Sequence, residues 1–504
     1  MHETETDLSA PLQSELRKQR LVPNKNGTPG QSSSNIIPRV SYFFMCYAWI
    51  FDFRSEGAKS GLATQQLFLV IYLAALVPFF VSYKGNGVHV RGLGANVIFS
   101  FIFIFIGTIS GLIADQEYYQ IFRNSVNIFI YITMVYATSK ILVLGTQKTS
   151  VYYFLILSFC YSISTLIIYY IRQGGIDFSR VRFEIIGPST IAGIALIGLS
   201  LLYRIPLIGY ASMITSTVIV FISITRTFIL VAVSQIFAIV KNARSVFGPG
   251  EIVLSLVLLT SISTGYVYTE FFSDRWEDRV SVKSKLTDID PTLYARMDEW
   301  NFMMKKTLDS PKSVFFGSGF AAITEYYLPS DISKAAESDI GFGHSNHFSL
   351  IFIAGLMGGL PLLILHFLQL GQAIGFISRV VRGEMKDCDI LFLAAWGALI
   401  VIGTFMSNIL AAAFTNRGTS LWFALGTGLF LGGRACFDPY NIRILRESMP
   451  NFYTESIVSR RNTRAIARMR SQTSNPKAER LPDAVLRRRS ALSADKDDPQ
   501  CLPD

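Results

Sequence analysis

The chain has 504 residues, of which half are apolar and only 16% are charged. The apolar residues fall in long uncharged runs rather than in alternation, which excludes a soluble globular enzyme and calls for helices that cross a bilayer. The formal charge of +10 does not mark a nucleic-acid protein, because the basic excess lies in the C-terminal tail and in short connecting loops.

In chain order, residues 1–37 form a polar N-terminal tail without an apolar h-region, so no cleavable signal is expected. Apolar runs near 38–53, 66–83, 95–113, 122–143, 151–171, 184–203, 206–223, 226–240 and 251–268 predict the first nine membrane helices, within 38–268. Runs near 347–370, 390–408 and 418–433 predict three more, within 347–433. The fold class is therefore all-α, a polytopic bundle of about twelve membrane helices. Loops carrying Lys84 and Arg91, Lys148, Arg204, Lys241 and Arg244, and Arg379, Arg382 and Lys386 share one side in that count. Both tails fall on the same side, and the positive-inside trend makes it cytoplasmic.

The opposite side receives one large periplasmic loop, residues 269–346, with thirteen acids and nine bases. Its stretch "DPTLYARMDEWNFMMKKTL" has helical spacing, with Leu293, Met297, Trp300 and Met304 expected on one face. A second helix is expected in "AAITEYYL". The tail from 434 to 504 is rich in arginine, which suits contact with anionic lipid, and its far end reads as disordered. The five cysteines have neither metal-type nor disulfide-type spacing and read as inert thiols.

Three arginines break the charge trend on the periplasmic side. Arg180 and Arg182 precede the sixth run, and Arg226 sits between the seventh and eighth with little loop to reach water. A guanidinium in such a place either snorkels to the interface or binds an anion, for which its bidentate donors are suited. His344 lies just before the tenth run, at the expected water–lipid boundary, where a neutral imidazole can accept a proton or simply anchor the helix. His347 follows one helical turn on. Arg296 either contacts substrate or pairs with Glu299.

The spacing of these residues resembles a known family. His344-Ser345 is followed by nine residues and then Gly355-Leu-Met-Gly358. This is similar to the signature of the O-antigen ligase and polysaccharide polymerase superfamily, in which His and Asn, Ser or Gln precede nine residues and Gly-x-x-Gly. "SITRTFIL", "ARMDEW", "SPKSVFFGSGF" and "SNILAAAFTNRGTSLWFALGTGLFLGG" resemble its later landmarks in the same order, over roughly residues 180–433. The basic tail and the rather short loop depart from the family pattern.

The resemblance implies an inverting glycosyltransferase at the periplasmic face of the bacterial inner membrane, working without metal or other cofactor. Its donor would be a glycan on undecaprenyl diphosphate, and its acceptor another glycan or a lipid A core, so that it acts as polymerase or ligase. His344 and Arg226 would be catalytic, with Arg180, Arg182, Arg296 and His347 binding substrate. Gly355 and Gly358 would pack a helix closely against its neighbour. A flippase of lipid-linked oligosaccharide is the alternative, although it should show a charged central cavity and internal repeats. A structural role in a polysaccharide assembly or export complex is the third reading.

Overall fold

The computed structural model describes residues 36–48, 61–83, 87–173, 189–223, 226–243, 291–328, 331–338, 345–385, 387–410, 417–448, 452 and 457–460. Every predicted apolar run within them is helical; the ninth, 251–268, lies outside the described residues. The first eight form α1 (Ile36–Tyr47), α2 (Gly61–Ser82), α3 (Leu93–Ile113), α4 (Tyr118–Ile141), α5 (Gln147–Gln173), α6 (Ser189–Leu202), α7 (Leu207–Ser223) and α8 (Arg226–Ala243). The long loop contributes α9 (Pro291–Leu308) and α10 (Pro311–Phe316). The tenth run holds α11 (Asn346–Ala354) and α12 (Leu360–Val381), joined by a π-turn at Gly355–Gly359, and α13 (Asp389–Leu410), α14 (Arg417–Ala435) and α15 (Pro439–Ser448) follow.

Four stretches are long and apolar enough to cross a membrane: Leu93–Ile113, Gln147–Ile167, Asn346–Val381 and Asp389–Ile409. This is the build of a membrane protein, with α13 at its centre. The α13 stretch is 94% buried in protein, against 33% for α3, although both are apolar all round. A helix apolar on every side needs either protein or lipid around it. Protein encloses α13, whereas α3 exposes Ile98, Phe101 and Phe105. Glycines let α13, α14 and α4 approach closely. A Cβ on Gly397 would lie 2.5 Å from Phe430 N, and one on Gly428 would lie 2.5 Å from Thr138 Cβ.

The bundle has two distinct ends. At the first, the tail end, hydrogen bonds tie together loops that the sequence reading placed on one side. Asn441 accepts from His89 N–H (2.9 Å) and donates to the carbonyls of His89 (2.7 Å) and Ala435 (3.0 Å). Asp389, fully buried, accepts from the backbone N–H groups of Ile457 and Val458, each at 3.0 Å. Strand β1 (Tyr203–Arg204) pairs antiparallel with Ser459–Arg460. The tail predicted to begin at 434 thus starts inside α14, continues as α15 and is built onto the bundle through 460; residues 461–504 lie outside the described residues.

Two expectations for the long loop are corrected. "AAITEYYL" is not a second helix: Thr324–Leu328 is strand β2, antiparallel to β3 (Asp331–Ser338). Its Thr and paired tyrosines favour an extended chain. The second helix is instead α10, whose N-terminus Ser310 and Ser313 close with a reciprocal capping box. On α9 the buried stripe is Glu299, Met303 and Thr307, whereas Met297 and Met304 are exposed. Contact with α11 selects that face, where Trp300 stacks on Phe348 at 5.3 Å and Ser349 Oγ lies 3.8 Å from Met303 Sδ.

Candidate functional site

The tenth run was expected to be one straight span. It is instead a hairpin. Along a continuous helix Leu350 and Gly359 would sit about 13 Å apart, yet a Cβ on Gly359 would fall 2.1 Å from Leu350 O. His347, earlier on α11, meets Phe367, later on α12, with ring centroids 6.0 Å apart. The two helices therefore run back along each other. The turn is made at Gly355, whose φ of +56° lies in the left-handed region. A Cβ there would come within 2.5 Å of the Phe315 backbone. The predicted packing role of the Gly-x-x-Gly pair holds for Gly358, which faces Ile106 of α3. Gly355 does more, because it reverses the chain.

The hairpin places the start of α11 inside the bundle rather than at its rim. His347 Nε2 lies 3.2 Å from the Phe405 carbonyl, and its ring is 4.4 Å from the Phe405 ring. Phe405 is about 8 Å short of the last described residue of α13. Irregular backbone at such depth must be enclosed by protein, and Ser345 and Asn346 are fully buried.

The glycine loop 317–320 locks the hairpin's other end. Ser318 and Gly319 N–H donate to the carbonyls of Phe352 (2.7 Å) and Ile353 (2.9 Å), which capping the last turn of α11 requires. Phe320 N–H donates to Gly107 O at 3.2 Å, Asn124 donates to Phe320 O at 2.7 Å, and Gln116 Nε2 donates to Ser318 O at 2.6 Å. The fully buried Phe320 ring meets Phe103 edge-on at 5.4 Å. Gly317, at φ +73°, has no room for a side chain, since its Cβ would lie 2.4 Å from Ile353 O.

At the start of α11 and on α13, by contrast, polar groups are left unpaired. Ser345 Oγ, both amide atoms of Asn346, His347 Nδ1, Thr404 Oγ1 and both amide atoms of Asn408 are buried without a hydrogen-bond partner. Leaving such a group unpaired costs about 1–3 kcal/mol. Because a carbonyl only accepts, the His347 bond to Phe405 puts its proton on Nε2 and leaves Nδ1 as a basic lone pair. Chemically these are buried donors and acceptors without partners on α11 and α13, with an imidazole nitrogen among them.

No protein-family model matches the chain, and no curated protein does.

The predicted site residues distribute as follows. His344, Arg180 and Arg182 lie outside the described residues. Arg226 is the first residue of α8. Along α8 and α13, Gln235 Nε2 donates to Leu399 O at 2.9 Å and Gly403 meets Val231, so ascending α13 means approaching the start of α8. That antiparallel register sets Arg226 level with Asn408, about one helical turn from the His347–Phe405 contact. Arg296 Nη1 stands 3.9 Å from Glu299 Oε2, the pairing reading of the two offered by sequence. Sequence reading missed Asn408 and Thr404, because single polar residues inside apolar runs carry no periodic signal. It also missed His366, fully buried between Tyr131 and Phe423 at centroid distances of 6.5 and 5.2 Å. Nearby, Asn96 Oδ1 accepts from Tyr131 Oη (3.0 Å) and Gln369 Nε2 (2.8 Å), a structural tie between α3, α4 and α12. Among the described residues no three His, Cys, Asp or Glu side chains converge as metal ligands.

Proposed function

We propose that the chain is an inner-membrane glycosyltransferase of surface-polysaccharide assembly. In this reading about twelve helices cross the membrane, both termini are cytoplasmic, and the hairpin end faces the periplasm. The observation that carries it is the buried start of α11, where Ser345 Oγ, the Asn346 amide and His347 Nδ1 lack partners beside Phe405, one helical turn from the level of Arg226. Such groups in a membrane interior mark a site rather than packing.

The chemistry follows from the residue types. The donor is a glycan on undecaprenyl diphosphate. An acceptor hydroxyl, on another glycan chain or a lipid A core, attacks the anomeric carbon while the bond to diphosphate breaks. The electron pair leaves with the diphosphate, and cations fixed there lower the barrier. Arg226 serves that charge, with Arg180 or Arg182. The hydroxyl proton passes to an imidazole: His344 at the family-like position, or His347 through its free Nδ1. The polybasic tail lies on anionic lipid.

Replacing His344 or Arg226 by Ala, and scoring membrane abundance beside surface glycan on gels, tests this. The protein should stay abundant while glycan lengthening or attachment stops. Accumulated single lipid-linked units would identify a polymerase, and free polymer on the lipid carrier a ligase. Full product from both variants would remove the catalytic assignment.

A further inference from the structure

The loop that sequence reading set outside the membrane runs in part beside a membrane helix. Ser110 Oγ donates to the Phe316 carbonyl at 2.7 Å, a Cβ on Gly319 would lie 2.5 Å from Gly111 Cα, and Phe320 N–H donates to Gly107 O at 3.2 Å. All three partners belong to the apolar stretch Leu93–Ile113 of α3. Ser110 and Gly107 stand three and six residues before its end, so residues 316–320 lie about 5–9 Å below that end along the axis. Backbone at such a level has to be enclosed by protein, and hydrogen bonds to α3, α4 and α11 do this for residues 318–320.

The side chains just before them are not enclosed. Phe315 and Phe316, at the end of α10, are 49% and 44% exposed. At the same level α3 exposes Phe105, Leu112 and Ile113, a helix face that needs lipid against it. The apolar surface continues on α9, where Met297, Met304 and Leu308 recur at helical spacing and are all exposed. On the other side of α9, Met303 and Thr307 are buried, and Met303 meets Ser349 of α11. Lys305, Lys306 and Lys312 stand exposed around this surface, against one carboxylate, Asp309, between residues 304 and 316. Apolar side chains ringed by lysines suit the boundary where acyl chains meet lipid phosphates.

We propose that the α9–α10 corner is seated in the bilayer leaflet at the hairpin end, with Leu308, Phe315 and Phe316 among the acyl chains and the three lysines toward the phosphates. The occupant of this surface is the lipid itself, and the inference stands apart from the transferase reading. It accounts for the exposure of methionines that helical spacing alone would bury. It also sets α9, a helix about 10 Å thick, between the acyl chains and the start of α11, with its unpaired Ser345, Asn346 and His347 atoms. A reactant carried in the leaflet would meet those groups from the side.

The test adds one tryptophan, Phe315→Trp or Phe316→Trp, to the full-length chain in vesicles of phosphatidylcholine and phosphatidylglycerol. Both changes are conservative at exposed positions, and the melting temperature checks that each variant folds. The emission gained over the wild type, which has five tryptophans, is challenged with bromine near the glycerol end of the acyl chains and, separately, with aqueous iodide. Phe105→Trp, on the exposed face of α3, sets the value for a side chain in lipid. Bromine should remove roughly half or more of the added emission in both variants, as in Phe105→Trp, and iodide far less. Iodide quenching as strong as that by bromine would put the corner in water and overturn the proposal. Added emission that neither agent reaches would mark a protein surface over the corner, and would overturn it too. Because the readout is depth rather than turnover, this outcome is independent of the glycan gels above.

Discussion

The two ends of the bundle use the same polar residue types for opposite purposes. At the tail end, Asn441 makes three hydrogen bonds that join the α2–α3 connection to the end of α14. Asp389 likewise spends its carboxylate on two backbone N–H groups of the tail. At the hairpin end, Asn346 and Asn408 are as deeply buried and make none. A fold that satisfies asparagine so fully at one end does not leave two unsatisfied at the other through lack of partners. The first end is assembled for stability, and on the proposed reading the second holds groups whose partners arrive from outside.

The largest effect should come from breaking the hairpin end's frame. Gly317→Val places a β-branched side chain at φ +73° with its Cβ 2.4 Å from Ile353 O. Overlap with backbone cannot be relieved by a rotamer change, so the loss should exceed about 4 kcal/mol. Little monodisperse protein should survive size-exclusion chromatography in detergent, and a wild-type profile would disprove the packing described. Next in size is Asn441→Leu at the tail end. It strands His89 N–H and two carbonyls, costing about 2–4 kcal/mol and lowering the melting temperature.

Asp389→Ala should cost about 1–3 kcal/mol by freeing Ile457 and Val458, and it should open the 449–460 stretch to limited proteolysis. The matched change at the other end has the opposite sign. Asn346→Leu removes an unpaired amide and should leave melting unchanged or raise stability by about 1 kcal/mol, while glycan product falls. If Asn346→Leu destabilises as much as Asn441→Leu, the contrast between the ends is lost.

How much of this was legible in the sequence depends on which physics sets each feature. The described helices of the bundle fall where continuous apolar runs predicted them, because burial of a whole turn needs nothing but composition, whereas α10 and α15 lie outside any such run. The gathering of Arg91, Arg204 and the tail at one end followed from charge alone. The hairpin was hidden inside the run 347–370, since an apolar stretch of that length looks alike whether it continues or folds back. Its signal was Gly355, which reads equally as a packing glycine until φ is known. The face of α9 was misread because Met297 and Met304 are apolar enough to be buried, whereas the neighbour actually present takes Glu299 and Met303. Asn408 was silent for a related reason: that a single asparagine in an apolar run is buried without a partner is a tertiary fact.

The smallest expected effect concerns Cys388, in the short connection between α12 and α13 at the tail end. Burial pushes its thiol up to about 11, with the backbone N–H groups of Leu391 and Ile390 only partly opposing the shift. The thiolate is the reactive form. At pH 8, about three units below that value, roughly one thiol in a thousand is ionised. Maleimide should therefore leave Cys388 unlabelled in folded protein at pH 8, and the labelling rate should climb about tenfold per pH unit toward 11. Denatured protein should label readily at pH 8, because the unfolded thiol returns to its ordinary range. Asp389→Ala, by loosening the tail over this corner, should raise the folded-state rate without changing that of the denatured chain. Fast labelling of the wild-type fold at pH 8 would mean that the tail end is looser than its hydrogen bonds indicate, and the contrast with the hairpin end would have to be redrawn.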